Sequence, residues 1–195
     1  MLSRSDWFST PLLFFEWEEY NIHKDKLIEN INNIKVSNDS ESRSNVNGWQ
    51  SHKKLFNENF MSPIMNFISS SVFESLTELN VDESCSFHIT QMWANVNYKH
   101  SYHKSHQHNG SFLSGVFYLK TPTECGNIYF EDPRNLWCLL PVRYSKHDMF
   151  SRMEVECTPK EGCLILFPSY LSHRVGMNHN DDERISVSFN VEICI

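Results

Sequence analysis

Residues 184–195 restrict the fold of this chain more than any other stretch. Ile185, Val187, Phe189, Val191 and Ile193 alternate with Arg184, Ser186, Ser188 and Asn190. Side chains two apart on a strand share a face, so this is a strand with one apolar and one polar side. The apolar side needs a packed layer against it. The polar side carries a guanidinium, and a buried charge without a partner is too costly to leave against hydrocarbon. The segment therefore predicts a β-structure whose interior is a polar-lined pocket, with Arg184 and Ser186 pointing into it together.

The remainder of the C-terminal half reads the same way. Phe87, Ile89, Gln91, Trp93, Asn95 and Asn97 alternate with His88, Thr90, Met92, Ala94 and Val96, which is strand periodicity. Residues 112–119, 126–131, 149–157 and 163–167 are further strands, split by Pro122, Pro133, Pro141, Pro159 and Pro168. Many short strands with such punctuation predict a sandwich or jelly roll.

The N-terminal part is helical. Ile22, Leu27, Ile28, Ile31 and Ile34 recur at helical spacing between Asn21 and Val36. Pro63 suits the first turn of a second helix, whose stripe is Ile64, Phe67, Ile68, Val72, Leu76 and Leu79. Helices followed by strands predict helices packed on one sheet. Phe14–Trp17 reads as an early strand or an anchor under the core, Ser37–Ser42 as a polar loop, and Trp49 as a packing anchor. Neither a repeat nor a domain boundary stands out. The expectation is a single domain over 1–195, with helical support to about residue 80 and a β core from about residue 84.

Three histidines, His103, His106 and His108, fall within six residues, and His173 follows far downstream. On a strand, His106 and His108 would project to one face within reach of a single ion, and His173 could complete a trio. Imidazoles bind iron, zinc, copper or nickel, and three protein ligands leave positions open for substrate. The H-x-H motif alone is weak, because ten histidines in 195 residues will produce such spacings in solvated loops too. His100 and His103 compete for the role and are placed outside the ligand set or at the surface. Arg184, with Ser186 in phase, would be satisfied by a dicarboxylate gripped bidentately, a tyrosine hydroxyl completing the contacts.

Bulk properties exclude several classes. A net charge of −7 disfavours nonspecific binding to a phosphate backbone, so nucleic acid is not an expected partner. No apolar run approaches the ~20 residues of a membrane span. The start of the chain lacks a basic-then-apolar leader, which gives a cytoplasmic expectation. The six cysteines form no C-x-x-C pair and read as reduced, mostly buried thiols.

The histidine pair, Leu113–Leu119, Gly126–Arg134, Gly162–His173 and Arg184–Asn190, together with Ser44-Asn45 and Gly48–Ser51, resemble the 2-oxoglutarate/Fe(II) oxygenases of marine bacteria and phages, a group similar to the prolyl hydroxylases. The resemblance runs from about Phe14 onward. It implies a double-stranded β-helix with helices on one sheet, in a protein of bacterial or phage origin. It also implies Fe(II) held by His106, His108 and His173, with 2-oxoglutarate as co-substrate and ascorbate as an optional further cofactor. Arg184 and Ser186 would bind the far carboxylate, with Tyr118 and Asn97 beside it. The implied reaction is hydroxylation of an unidentified small molecule or peptide, with decarboxylation of 2-oxoglutarate to succinate; Trp137 and Tyr170 could face that acceptor. The wider superfamily carries a carboxylate where this chain has His108, so the implied site has three neutral imidazoles in place of a 2-His-1-carboxylate triad. Two other readings stay open: a cupin-like three-histidine metalloenzyme without 2-oxoglutarate, and a metal-free jelly-roll binding protein.

Overall fold

A computed structural model of the protein describes residues 2–134 and 143–195. Trp137, Cys138 and Pro141, each singled out by the sequence, lie outside the described residues. Among the described residues the chain runs β1 (Leu13–Glu16), α1 (Tyr20–Ser37), β2 (Asn45–Val46), β3 (Trp49–Gln50), two short 3-10 turns, α2 (Ser62–Glu78) and β4 (Ser86–Asn97). It continues through β5 (Tyr102–His106), β6 (Leu113–Lys120), β7 (Ile128–Glu131), β8 (Glu154–Cys157), β9 (Cys163–Pro168), β10 (His173–Val175) and β11 (Arg184–Cys194). The strands form two antiparallel sheets. The larger has the order β1-β9-β6-β11-β4-β3, the smaller β2-β5-β10-β7-β8.

The two-faced character of β11 organises the layers. Ile185, Val187, Phe189 and Val191 join one apolar cluster with Leu27 and Ile31 of α1 and Ile64, Ile68, Val72 and Leu76 of α2. The helices therefore cover the outer face of the larger sheet, which is the predicted arrangement. β6 and β9 obey the same alternation: Phe117, Leu164 and Leu166 face the helices, while Val116, Tyr118, Ile165 and Phe167 meet Ile128, Phe130 and Val175 of the smaller sheet. Burial of these side chains, each contributing about 1.5–3 kcal/mol on transfer, is what holds the three layers together. Trp49 is the anchor its context suggested, buried in the helix-side core with its indole N–H donating to the Asn38 carbonyl at 3.1 Å. Phe14–Trp17 resolves into both of its readings, since β1 pairs with β9 and Trp17 is buried behind it.

Four expectations need correction. The alternation of β4 is not continuous: Asn190 pairs with Gln91 but Val191 pairs with Ile89, so Thr90 is an extra, bulged residue. The bulge switches faces. Phe87 and Ile89 pack toward the helices, whereas Trp93 and Asn95 line the space between the sheets. The strand placed at 149–157 begins only at Glu154, where pairing with β7 becomes available. Ile22, placed in the α1 stripe, is 76% exposed, because the buried face of α1 is the one that carries Tyr20, Leu27 and Ile31, and Ile22 lies on the opposite side of the helix. The segment around Trp49, read only as a packing anchor, also supplies the short strands β2 and β3. No helix among the described residues is long and apolar enough to cross a membrane.

Candidate metal and co-substrate site

β5 and β10 are neighbours in the smaller sheet, and His173, the first residue of β10, pairs directly with His106, the last residue of β5. That register joins two segments far apart in sequence. His108 corrects the expected strand placement: it lies beyond the end of β5, in a loop whose position is fixed by the His108 amide donating to the Ser169 carbonyl at 3.0 Å. The imidazoles of His106, His108 and His173 nevertheless converge, each offering a nitrogen within 4.8 Å of the others. The Nε2 atoms of His108 and His173 are 3.3 Å apart.

Local hydrogen bonds choose the lone pairs. Nδ1 of His106 is 2.7 Å from the Lys104 carbonyl, and Nδ1 of His173 is 2.9 Å from the Leu171 carbonyl. A carbonyl only accepts, so Nδ1 carries the proton in both rings and Nε2 presents its lone pair to the cluster. Burial, followed by the neighbouring imidazoles, lowers the pKa of His173 to about 3; burial and then His106 and Lys53 lower that of His108 to about 4. Both are neutral near pH 7, as ligation requires. Two nitrogens each about 2.1 Å from one ion and at right angles lie about 3.0 Å apart. The observed spacing therefore fits a shared first-row divalent metal.

Deeper in the same cavity, of about 330 Å³, lies Arg184. It is 1% exposed, and its Nε and Nη2 are buried with no hydrogen-bond partner among the described residues. Its guanidinium carbon sits 5.2 Å from the centre of the Tyr118 ring, and the buried Tyr118 hydroxyl likewise has no partner. Burial pushes the Tyr118 phenol up to about 12, although Arg184 pulls it the other way, so the group is a neutral donor. Ser186, buried and in phase with Arg184, lines the cavity, and Asn97 is the register partner of Arg184 on β4. The Asn97 carbonyl oxygen is 3.2 Å from Nε2 of His103, while its amide nitrogen is buried and has no partner among the described residues. Three separate unpaired donors thus cluster round one spot, the arrangement a carboxylate would satisfy.

The structure places every sequence-predicted site residue in or beside this one cavity. Of the two places expected for His103, outside the ligand set or at the surface, it takes the first. His103 is buried, with its other ring nitrogen 3.3 Å from the Ser44 hydroxyl, and stands between the histidine trio and Asn97. His100 is exposed in a turn, and Tyr170 is exposed while Leu171 is core. Lys53 carries no signal in the sequence, being one of two adjacent lysines in a polar stretch. It lines the cavity on the side of His108, its Nζ donating to Gln91 Oε1 at 2.9 Å.

Comparison with known proteins agrees with this geometry. No curated protein sequence matches the chain. Among solved structures, a prolyl-4-hydroxylase of Pseudomonas putida superposes with a TM-score of 0.67 at 11% identity, covering 94% of this chain and 93% of that one. The epimerase SnoN of nogalamycin biosynthesis, solved with Fe3+ and alpha-ketoglutarate, gives 0.68 at 14% identity over 93% and 78%. HygX of Streptomyces hygroscopicus, with nickel and 2-oxoglutarate bound, gives 0.65 at 9% identity over 94% and 83%. These likenesses establish the double-stranded β-helix. The family described as "Putative 2OG-Fe(II) oxygenase" matches residues 91–190, a span that holds the histidine trio, Tyr118, Asn97, Arg184 and Ser186. By that match the chain belongs to the 2OG-Fe(II) oxygenases, enzymes whose metal is iron and whose co-substrate is 2-oxoglutarate.

Proposed function

We propose that this protein is a dioxygenase that hydroxylates a C–H bond of a small-molecule or peptide acceptor, with His106, His108 and His173 as the iron ligands and Arg184 as the anchor of 2-oxoglutarate. When bound, Fe(II) with the co-substrate and oxygen supplies the oxidation: 2-oxoglutarate loses carbon dioxide to become succinate, and one oxygen atom enters the acceptor. The chain's own residues place the reactants. The carbonyls of Lys104 and Leu171 hold His106 and His173 in the tautomer whose Nε2 faces inward. Arg184 offers two buried N–H donors to a carboxylate, which fixes the co-substrate's far end and its distance from the metal. The Tyr118 and Ser186 hydroxyls and the Asn97 amide complete that grip. Val116 and Phe167 supply apolar wall, which keeps water from the reacting centre.

The observation that carries the reading is the buried, unpartnered guanidinium of Arg184 in the same cavity as three converging imidazoles. Calorimetry on the Ni(II)-loaded protein tests it. One metal per chain and saturable 2-oxoglutarate binding are expected, with affinity weakened about a hundredfold in Arg184→Gln, the scale of a lost bidentate charged contact. One specific observation favours a second reading. The trio contains no carboxylate, as in a cupin-like three-histidine metalloenzyme that does without 2-oxoglutarate. Metal uptake without 2-oxoglutarate binding, in wild type and Arg184→Gln alike, would select it.

A further inference from the structure

The inner face of β4 beyond its bulge is a ladder of four polar or amphipathic side chains, Gln91, Trp93, Asn95 and Asn97. At about 3.3 Å per residue the ladder spans roughly 20 Å. A cation stands at each end. Arg184 is opposite Asn97. Lys53 donates to Gln91, and its Nζ is 5.9 Å from the centre of the Trp93 ring. His108 packs beside the same Trp93, with ring centres 5.6 Å apart, so the histidine trio lies between the two cations.

The electrostatics of this cavity run against those of the whole chain. The protein carries a net charge of −7, yet no aspartate or glutamate is among the described residues lining the cavity, whereas Arg43, Lys53 and Arg184 are. Arg43 is exposed and reaches Glu41 at 3.3 Å, but Lys53 has no carboxylate partner among the described residues. If the ligands are three neutral imidazoles, the metal and a 2-oxoglutarate dianion cancel, and Arg184 and Lys53 leave the loaded cavity net positive. A cavity of one sign with low-dielectric walls concentrates the opposite ion. Asn95 adds an independent mark. It is 3% exposed, it lines the cavity, its amide nitrogen donates to Ser188 Oγ at 3.1 Å, and its carbonyl oxygen has no partner among the described residues. With the co-substrate taking the Arg184 end, the room left in about 330 Å³ suits a molecule of amino-acid size.

We propose that the acceptor is a small organic anion, its carboxylate or phosphate paired with Lys53, its body against Trp93 and a hydrogen-bond donor on Asn95. This rests on the co-substrate reading above and extends it to the substrate class. It also assigns Lys53 a specificity role that no motif marks.

The test uses the full chain with Fe(II), 2-oxoglutarate and oxygen, reading succinate release above the acceptor-free rate. The probes are N-acetylated amino acids offered as free acids and as their amides, and small phosphate monoesters offered beside their parent alcohols. Stimulation confined to anionic members is expected, and the carboxylate and phosphate arms tell which anion is used. Lys53→Gln should raise KM for the responding anion about tenfold to a hundredfold, and Lys53→Arg should restore most of it. Equal response to neutral members, no anion-selective response in the panel, or an unchanged KM in Lys53→Gln overturns the proposal. Calorimetric 2-oxoglutarate binding to the Ni(II)-loaded wild type separates the two layers. If it is absent, the co-substrate reading falls and takes this inference with it. If it is present without anion selectivity, the inference alone falls.

Discussion

Arg184 and Asn97 face each other across β11 and β4, and neither finishes its hydrogen bonding within the described residues. The pair lies where the last residue of β4 meets the first residue of β11, and both side chains are 1% exposed, so neither reaches solvent. An arrangement this expensive in isolation is stable only because the surrounding layers fix it.

Removing the charge from Arg184 should therefore separate stability from binding. In the absence of co-substrate, Arg184→Met is expected to be as stable as wild type or more stable by about 1–3 kcal/mol, since an uncompensated buried cation is exchanged for hydrocarbon. The thermal upshift that 2-oxoglutarate gives the metal-loaded wild type should vanish in the variant. Thermal melts with and without co-substrate check both halves. A destabilised variant that kept the upshift would contradict the assignment.

The histidine trio predicts a graded metal response. His173→Ala removes a proposed ligand held in register by β5 and β7, and metal affinity should fall by at least about a hundredfold. His108→Asp restores the 2-His-1-carboxylate set and should keep metal binding, with a gain in affinity for Fe(II) from the added charge. Metal stoichiometry after dialysis against a weak chelator distinguishes these outcomes.

Acid should weaken the metal-free fold over a defined window. Burial first, then Arg184 and His106, lowers the pKa of His103 to about 3, and burial does the same for His173. In the unfolded chain these rings titrate near 6.5. Below that pH the unfolded state takes up protons that the folded state refuses, so stability is complete above about 6.5 and drains away as pH falls toward 3. The loss by pH 5 should be on the order of 2 kcal/mol for each of the two rings. Urea titrations at pH 7.5 and 5.0 measure it, and His103→Asn should flatten the dependence.

Gly126 fixes the approach to β7, the strand that pairs with β10 and so supports His173. It has φ +87, and a Cβ there would run into the Gly176 carbonyl. Gly126→Ala combines left-handed strain with a backbone clash and is expected to cost roughly 2–4 kcal/mol. Denaturant midpoints give the stability, and chelator-challenged metal retention shows whether the loss reaches the histidines.

Much of this protein is legible in its residue order, because long elements carry a period. The alternation of Arg184–Cys194 announces both a helix-packed face and a polar interior, and the stripe from Ile64 to Leu76 announces the helix that covers it. The histidine trio and Arg184 stand out by residue type. What only tertiary structure decides is how short or irregular segments meet. Two- and three-residue strands such as β2, β3 and β10 have no period of their own and exist because a neighbour supplies hydrogen bonds. The bulge at Thr90 is invisible in an alternation that looks continuous, yet it turns Trp93 and Asn95 inward while Phe87 and Ile89 pack outward. His103 and Lys53 acquire their places from partners 59 and 38 residues away, Ser44 and Gln91. Local chemistry fixes which groups could act; burial, register and charge across the two sheets fix which of them share a cavity.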